Sequence, residues 1–371
     1  MNLIRMVCPC HFGLESTLKF EITRIGGQDI SVSDGRVAFS GDFGTLIKAN
    51  LWLSTAERVL VQLAEFDAYS FEELFQGTKN APFEDFIGAD DRFPVKGYSL
   101  NSELHSVPDC QSIIKKAAVE RLKNNYGISY FEETGALYQV RFSILKNHVS
   151  IFLDSTGEGL HKRGYRRNSN AAPIKETLAA GIVDLAHIRG DSVVCDPFCG
   201  SGTILIEAAY KALNIAPGLK RRFASDNWSI IPQNLWETER KAALEAIRKD
   251  TDFFAYGYDI DPECVALTQE NCRKAGIQKR VEIKQADIKN YENISNTVTI
   301  CNPPYGERLL EIREAEKLYS IMGQRYIADR EHPCFVISPH EEFEKLFGKT
   351  ADKRRKLYNG MLKCQLYMYF K

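Results

Sequence analysis

Between residues 193 and 203 an apolar run, Val193-Val194-Cys195, ends in Asp196 and opens into Pro197-Phe198-Cys199-Gly200-Ser201-Gly202-Thr203. No other feature constrains the fold as much. A buried strand that stops at an acid and turns through two glycines into a helical stretch, Ile204–Leu213, reads as one unit of a parallel sheet with helices on both faces. The glycines let the backbone approach a ligand, and the free N–H groups at the helix start can hold a carboxylate or a phosphate. Two common alternatives fail on spacing. A dinucleotide site wants a third glycine and an acid about 20 residues on. The third glycine is missing, and the next strand-end acid, Asp259, lies far beyond. A phosphate P-loop wants Gly-Lys-Ser/Thr, which does not follow.

From Ala171 onward strands and helices alternate. Strands are predicted at Ser192–Cys195, Phe253–Tyr258, Val281–Lys284, Val298–Cys301 and Cys334–Ile337. The chain then closes with Lys356–Tyr358, Asn359-Gly360 and Met361–Phe370, a strong hairpin signal. Two further acids end strands, Asp259 and Asp287. A carboxylate at Asp259 can accept from both ribose hydroxyls, while Asp261-Pro262 reads as a helix cap and first helical position. Asp287 would accept from an adenine amino group. Three acids in successive strand-to-helix turns converge on one crevice. The run Asp196–Thr203 resembles the first motif of Rossmann-like methyltransferases. That resemblance implies that Asp196, Gly200 and Gly202 surround the methionine end of S-adenosylmethionine.

Asn302-Pro303-Pro304-Tyr305-Gly306 follows the apolar run Val298–Cys301. Two prolines hold the chain stiff at the end of a strand. In-line transfer needs that stiffness, since fixed geometry can supply roughly 7–11 kcal/mol of barrier reduction. The Asn302 side-chain oxygen and the Pro303 carbonyl can accept the N–H bonds of an exocyclic amine and stabilise charge as it develops. Tyr305 can stack on a flat base. Asn-Pro-Pro-Tyr resembles the fourth motif of amino-methyltransferases, which names an amino or amide nitrogen as acceptor and leaves the molecule open.

Residues 67–160 carry no acid–base pair and no metal cluster, and Cys8 and Cys10 beside His11 form a lone C-x-C-H with no second ligand pair nearby. Residues 2–66 follow the order β-α-β-β-α-β, a ferredoxin-like signature. In residues 67–160, Phe71–Phe86 and Cys110–Tyr126 read as helices. Phe93–Ser99, Leu137–Leu145 and His148–Leu153 read as strands. The net charge of -1 neither argues for a nucleic-acid partner nor excludes one. Local charge is the better guide. Leu160–Asn168 holds four Lys/Arg and no acid, so Lys162, Arg163, Tyr165, Arg166 and Arg167 are candidates for phosphate and base contact. Ten cysteines without a C-x-x-C pair read as reduced thiols, and no metal is expected. The N-terminus lacks a signal peptide's apolar core, and no apolar run approaches the roughly 20 residues of a membrane span. A cytoplasmic protein is expected.

Nearly the whole chain resembles the bacterial THUMP-domain RNA methyltransferases related to the large-subunit rRNA guanine-N2 methyltransferase. The likeness rests on Leu160–Arg166, Ala172–Ala179, Asp196–Thr203, Asn302–Leu309 and Leu357–Gly360. It implies an α/β fold: a Rossmann-like methyltransferase sheet with a C-terminal antiparallel hairpin at 161–371, behind a ferredoxin-like unit at 1–66 and a THUMP RNA-binding domain at 67–160. It implies S-adenosylmethionine as cofactor, with contacts from Pro173, Lys175, Asp196, Phe198, Gly200, Gly202, Thr203, Asp259, Ile260, Asp287 and Asn302. Catalysis falls to Asn302, Pro303, Pro304 and Tyr305. The partner implied is RNA, 23S rRNA or an assembling large ribosomal subunit, with no obligate protein partner. In related two-domain enzymes a second methyltransferase follows, so a chain stopping at Lys371 is expected to carry only the guanine-N2 half. The Cys-Pro-Cys-His start departs from the common pattern. Two rivals share some of these features: an adenine-N6 nucleic-acid methyltransferase and a non-catalytic, RNA-binding ribosome assembly factor.

Overall fold

The computed structural model describes residues 3–166, 174–290, 296–306, 309–328 and 332–370. The N-terminal half runs β1 (Ile4–Pro9), α1 (Glu15–Arg24), β2 (Gln28–Ser33), β3 (Arg36–Gly41), α2 (Phe43–Trp52), β4 (Leu60–Asp67), α3 (Phe71–Lys79), β5 (Val95–Leu100), α4 (Val107–Tyr126), β6 (Val140–Leu145) and β7 (His148–Asp154). The strands of the expected ferredoxin-like and THUMP units form one sheet, in the order β2-β3-β1-β4-β7-β6-β5. The join is the antiparallel pair β4–β7, from Leu60 opposite Asp154 to Asp67 opposite His148. Lys146 and Asn147 turn β6 into β7 with φ of 52° and 66°, the positive values that a two-residue hairpin loop requires.

Local chemistry sets the helix ends. Asp42 caps α2 by accepting the Thr45 N–H at 2.8 Å. Ser70 and Glu73 form a capping box on α3. That helix was expected to reach Phe86 and instead closes at Lys79, because Pro82 cannot continue it. Conversely α4 starts at Val107, three residues before its expected start, with Pro108 in its first turn where a missing N–H costs nothing.

The second half runs α5 (Glu176–Leu185), β8 (Val193–Asp196), α6 (Thr203–Ala212), α7 (Gln233–Glu245), β9 (Phe254–Asp259), α8 (Pro262–Ala275), β10 (Val281–Gln285), β11 (Thr297–Cys301), α9 (Leu309–Ala328), β12 (Cys334–Ser338), α10 (Phe343–Phe347), β13 (Lys353–Asn359) and β14 (Leu362–Tyr369). The sheet order is β10-β9-β8-β11-β12-β14-β13. Strands β8 to β12 are parallel, and β14 runs antiparallel to both neighbours. Asn359 pairs with Leu362, so the loop is Gly360-Met361, one residue later than the Asn-Gly signal suggests. Strand order reverses between β8 and β11, the switch point where such sheets bind ligands.

The halves interlock. Leu14, fully buried, belongs to the core of the second half. A side chain on Gly181 of α5 would meet Leu14 Cδ1 at 2.3 Å. In return Trp228, Ile231 and Trp236 are buried in the N-terminal core. Trp228 stacks on Tyr138 with ring centroids 4.7 Å apart and donates its indole N–H to the Leu137 carbonyl at 3.1 Å. Among the described residues no helix is long and apolar enough to cross a membrane.

Candidate active site

At the switch point lies a cavity of about 1780 Å³, and Gly200 and Asn302 both line it. A small-molecule site usually occupies about 300–1,000 Å³, so this one has room for a cofactor and a base together. Lys175, Phe198, Asp259, Ile260, Asp287, Pro303, Pro304 and Tyr305 share the lining. Asp196, Gly202 and Thr203 lie beneath it: Asp196 is 1% exposed and accepts the Phe198 N–H at 3.1 Å. Burial pushes its carboxyl up to about 8. Gly202 caps α6 at φ 78°, and a side chain there would meet Thr268 Cγ2 at 2.7 Å. Pro173 and Arg167 fall outside the described residues.

The loop after β8 is held by its neighbours. Asp259 Oδ2 accepts the Gly200 N–H at 2.9 Å and Oδ1 the Asp261 N–H at 3.0 Å. Each carboxylate oxygen keeps a lone pair for a ligand hydroxyl. Thr268 donates to the Gly200 carbonyl at 2.7 Å, and Asn271 to the Ser201 carbonyl at 2.9 Å. Asp287 accepts the Lys289 N–H at 2.9 Å.

The Pro-Pro corner is equally fixed. The Tyr305 hydroxyl donates to Asn302 Oδ1 and accepts from Asn359 Nδ2 at 3.5 Å, which ties the corner to the β13–β14 hairpin. Burial pushes the Tyr305 phenol well above its ordinary value. Tyr319 on α9 donates to the Pro304 carbonyl at 2.9 Å. Tyr319 had no local sequence signal, being fifteen residues from its partner. His340, also in the lining, follows β12 at the same kind of strand end that flagged the three acids, and could have been found by that rule.

Most of the basic junction turns inward, against the expectation of RNA contact. Arg163 and Tyr165 are 3% and 2% exposed. Arg163 Nε and Nη2 each lie 3.3 Å from a carboxylate oxygen of Glu207 on α6, and the Tyr165 hydroxyl donates to the same carboxylate at 3.2 Å. Arg166 pairs with buried Glu176 at 2.6 Å and reaches Thr203 Oγ1 at 3.4 Å. Arg163 and Tyr165 are thus buried against α6 and not presented to RNA, while half-buried Arg166 braces the start of that helix. Lys162 is exposed. The Cys-Pro-Cys-His segment is also structural. Cys8 and Cys10 are buried, while His11 Nε2 lies 3.1 Å from Glu57 and 3.3 Å from Thr177 Oγ1. Lys175 Nζ meets the same Glu57 at 3.2 Å. Burial opposes the charge of Glu57, but hydrogen bonds from His11 and Thr177, with His161 nearby at 3.6 Å, outweigh it and hold its carboxyl well below the usual range. Glu57 thus ties the N-terminal half to the head of α5, where Lys175 faces the cavity.

A family model described as "RMKL-like, methyltransferase domain" matches residues 163–368. The chain belongs to the RMKL-like methyltransferase family. Two more models match ahead of it, an RlmL ferredoxin-like domain over residues 5–60 and a THUMP domain over 68–154. YpsC of Bacillus subtilis (strain 168) is 42% identical across all of this chain and 97% of its own length. The ribosomal RNA large subunit methyltransferase K/L of Psychromonas ingrahamii is 32% identical over 97% of this chain. The chain spans about half the length of that relative, 49%. The crystal structure of SMU.472, complexed with SAH, superposes with a TM-score of 0.94 at 37% identity, covering 100% of this chain and 98% of the other.

Proposed function

We propose that this RMKL-like methyltransferase uses S-adenosylmethionine to methylate N2 of a guanosine in 23S rRNA, free or in an assembling large subunit, in the cytoplasm. The observation that carries the reading is that Gly200 and Asn302 line one cavity. The residues present fit the cofactor. Asp259 keeps lone pairs for ribose hydroxyls, Asp287 can accept from the adenine amino group, and the Asp196–Gly200 loop can wrap the methionine end. Bound there, the cofactor supplies an electrophilic methyl group. The remaining work belongs to the chain. Asn302 Oδ1 retains one lone pair beside the bond from Tyr305, and together with the Pro303 carbonyl it can accept both N–H bonds of an exocyclic amine. That grip sets the nitrogen lone pair and stabilises positive charge as it forms. Tyr305, held by Asn302 and Asn359, offers a fixed aromatic face to a base flipped out of its stack.

The test is nucleoside mass spectrometry of rRNA from a strain lacking the gene. N2-methylguanosine at one 23S position should disappear and return with the wild-type gene. Asn302→Ala should fail to restore it while binding S-adenosylmethionine with near wild-type affinity by calorimetry. Full restoration by Asn302→Ala, or no heat from the wild type at millimolar cofactor, refutes the reading.

A further inference from the structure

Beyond the Pro-Pro corner the cavity has a second polar wall that the chemistry above leaves unused. Glu316 on α9 and His340 after β12 both line it with Asn302 and Pro303. His340 Nδ1 accepts the Glu342 N–H at 3.2 Å, which leaves Nε2 as the ring's donor. Nε2 lies 3.4 Å from a carboxylate oxygen of Glu316, Oε1. Among the described residues the other oxygen, Oε2, has no hydrogen bond or ion pair. Neighbouring acids are placed differently: Glu342 pairs with Lys345 at 3.1 Å, and Glu314 and Glu341 are exposed.

Glu316 is also tied to the reacting corner. Tyr319 lies three residues further along α9, a spacing that puts side chains next to each other on a helix. Tyr319 donates to the Pro304 carbonyl at 2.9 Å, and its ring meets the His340 ring edge-on at 5.7 Å. One helical face therefore carries both the group that fixes the corner and a carboxylate with an oxygen to spare.

A base whose amino group is held at Asn302 presents an adjacent ring nitrogen to its surroundings. In guanine one of the two such nitrogens, N1, carries a hydrogen beside the N2 amine. In adenine the nitrogen beside the amine is a bare acceptor. A carboxylate only accepts, so it pairs with the first and is repelled by the second. We infer that Glu316, oriented by His340, selects guanine by accepting its N1–H, and this rests on the guanine-N2 reading above. His340 is a positioning residue, because it acts through Glu316. A site built around a substrate N–H rejects analogues that lack it far more strongly than an apolar pocket can.

The test uses the full chain and an oligoribonucleotide spanning the mapped guanosine, made with guanosine or 2-aminopurine at the target. 2-Aminopurine keeps the amine at the same ring position but has a bare N1. The wild type should prefer guanosine by at least about 100-fold in kcat/KM, as expected of a polar site denied its partner. Glu316→Gln can turn an amide N–H toward a bare N1, so the preference should fall by about tenfold or more, with cofactor affinity unchanged as the control for folding. The oxygen at C6 is absent from 2-aminopurine for both proteins and cancels in the comparison. His340→Asn, which removes the orienting donor, should lower the preference in the same direction. N2-methylation of guanosine with an unchanged preference in both variants overturns the role of Glu316 and leaves the wider reading standing. A product at adenine N6 overturns both.

Discussion

Replacing Arg163 by alanine should unfold the protein more than it weakens RNA binding. Its side chain and that of Glu207 are each 1% exposed. The guanidinium also donates to the Leu160 carbonyl at 2.8 Å and to the Ser54 carbonyl. Burial already pushes the Glu207 carboxyl upward, with Arg163 pulling the other way. Without Arg163, the carboxylate keeps the Tyr165 hydroxyl at 3.2 Å and loses its countercharge. Breaking a buried pair from one side costs about 3–5 kcal/mol, whereas replacing both partners by apolar groups is often near neutral. For a cooperative unit of about 150–250 residues each kcal/mol moves Tm by roughly 2–4 °C, so Arg163→Ala should lower it by about 6–20 °C. Arg163→Met with Glu207→Leu should recover most of the loss. The second assay is the salt dependence of binding to a 23S rRNA fragment. A lost phosphate contact lowers the slope of log K against log salt by about 0.7–0.9. Arg163→Ala should leave that slope unchanged. A Tm within about 2 °C of wild type together with a reduced slope would show that Arg163 faces phosphate and that the brace is misassigned.

Asp196 gives a pH signature. Its folded value of about 8 lies above the ordinary value, so between about 4 and 8 the folded state holds a proton that the unfolded chain has released. Stability of the cofactor-free protein should fall as pH rises through that window, by at most about 1.4 kcal/mol per unit. Asp196→Asn should flatten the slope in thermal melts, and a slope that persists in that variant counts against a buried carboxyl. Trp228→Ala removes the stack on Tyr138 and should cost about 3–5 kcal/mol in urea unfolding. A loss no larger than about 0.5 kcal/mol, as for a surface residue, would mean the halves do not interlock there.

Strand ends were legible because apolar runs of strand length finish on residues with distinctive chemistry. Asp196, Asp259, Asp287 and Asn302 each end such a run, and one sheet then puts Gly200, Asp259, Asp287 and Asn302 around one cavity. Where the reading failed, the deciding residue was distant. A string of basic residues at 162–167 does not reveal that Glu176 and Glu207, on helices still to come, are buried opposite Arg166 and Arg163. Nothing near residue 60 announces that β4 will pair with β7 some ninety residues later. The segment around Trp228 gave no sign that it leaves its own half to enter the other core. The overlong α3 is a different error: Pro82 was in plain view, and its effect on a helix is local.

The N-terminal half touches the cavity's supports on both sides. On one side Glu57 holds Lys175 and Thr177 at the head of α5. On the other, Phe12 meets Tyr358 edge-on at 6.0 Å, and a side chain at Gly13, with φ 91°, would strike the Lys356 carbonyl at 2.5 Å. Tyr358 and Lys356 belong to β13, whose last residue, Asn359, holds Tyr305. Domains joined only by a linker move relative to one another by default. Here Leu14, Trp228 and Glu57 remove that freedom, so an RNA gripped by the N-terminal sheet would meet the Pro-Pro corner at one distance and one angle. On the function proposed above, target choice would combine a ruler, set by packing between the halves, with a base reader at the corner. The two would be separable, because Leu14, Trp228 and Glu57, which fix the distance, are not among Asn302, Pro303 and Tyr305, which the proposal places against the base.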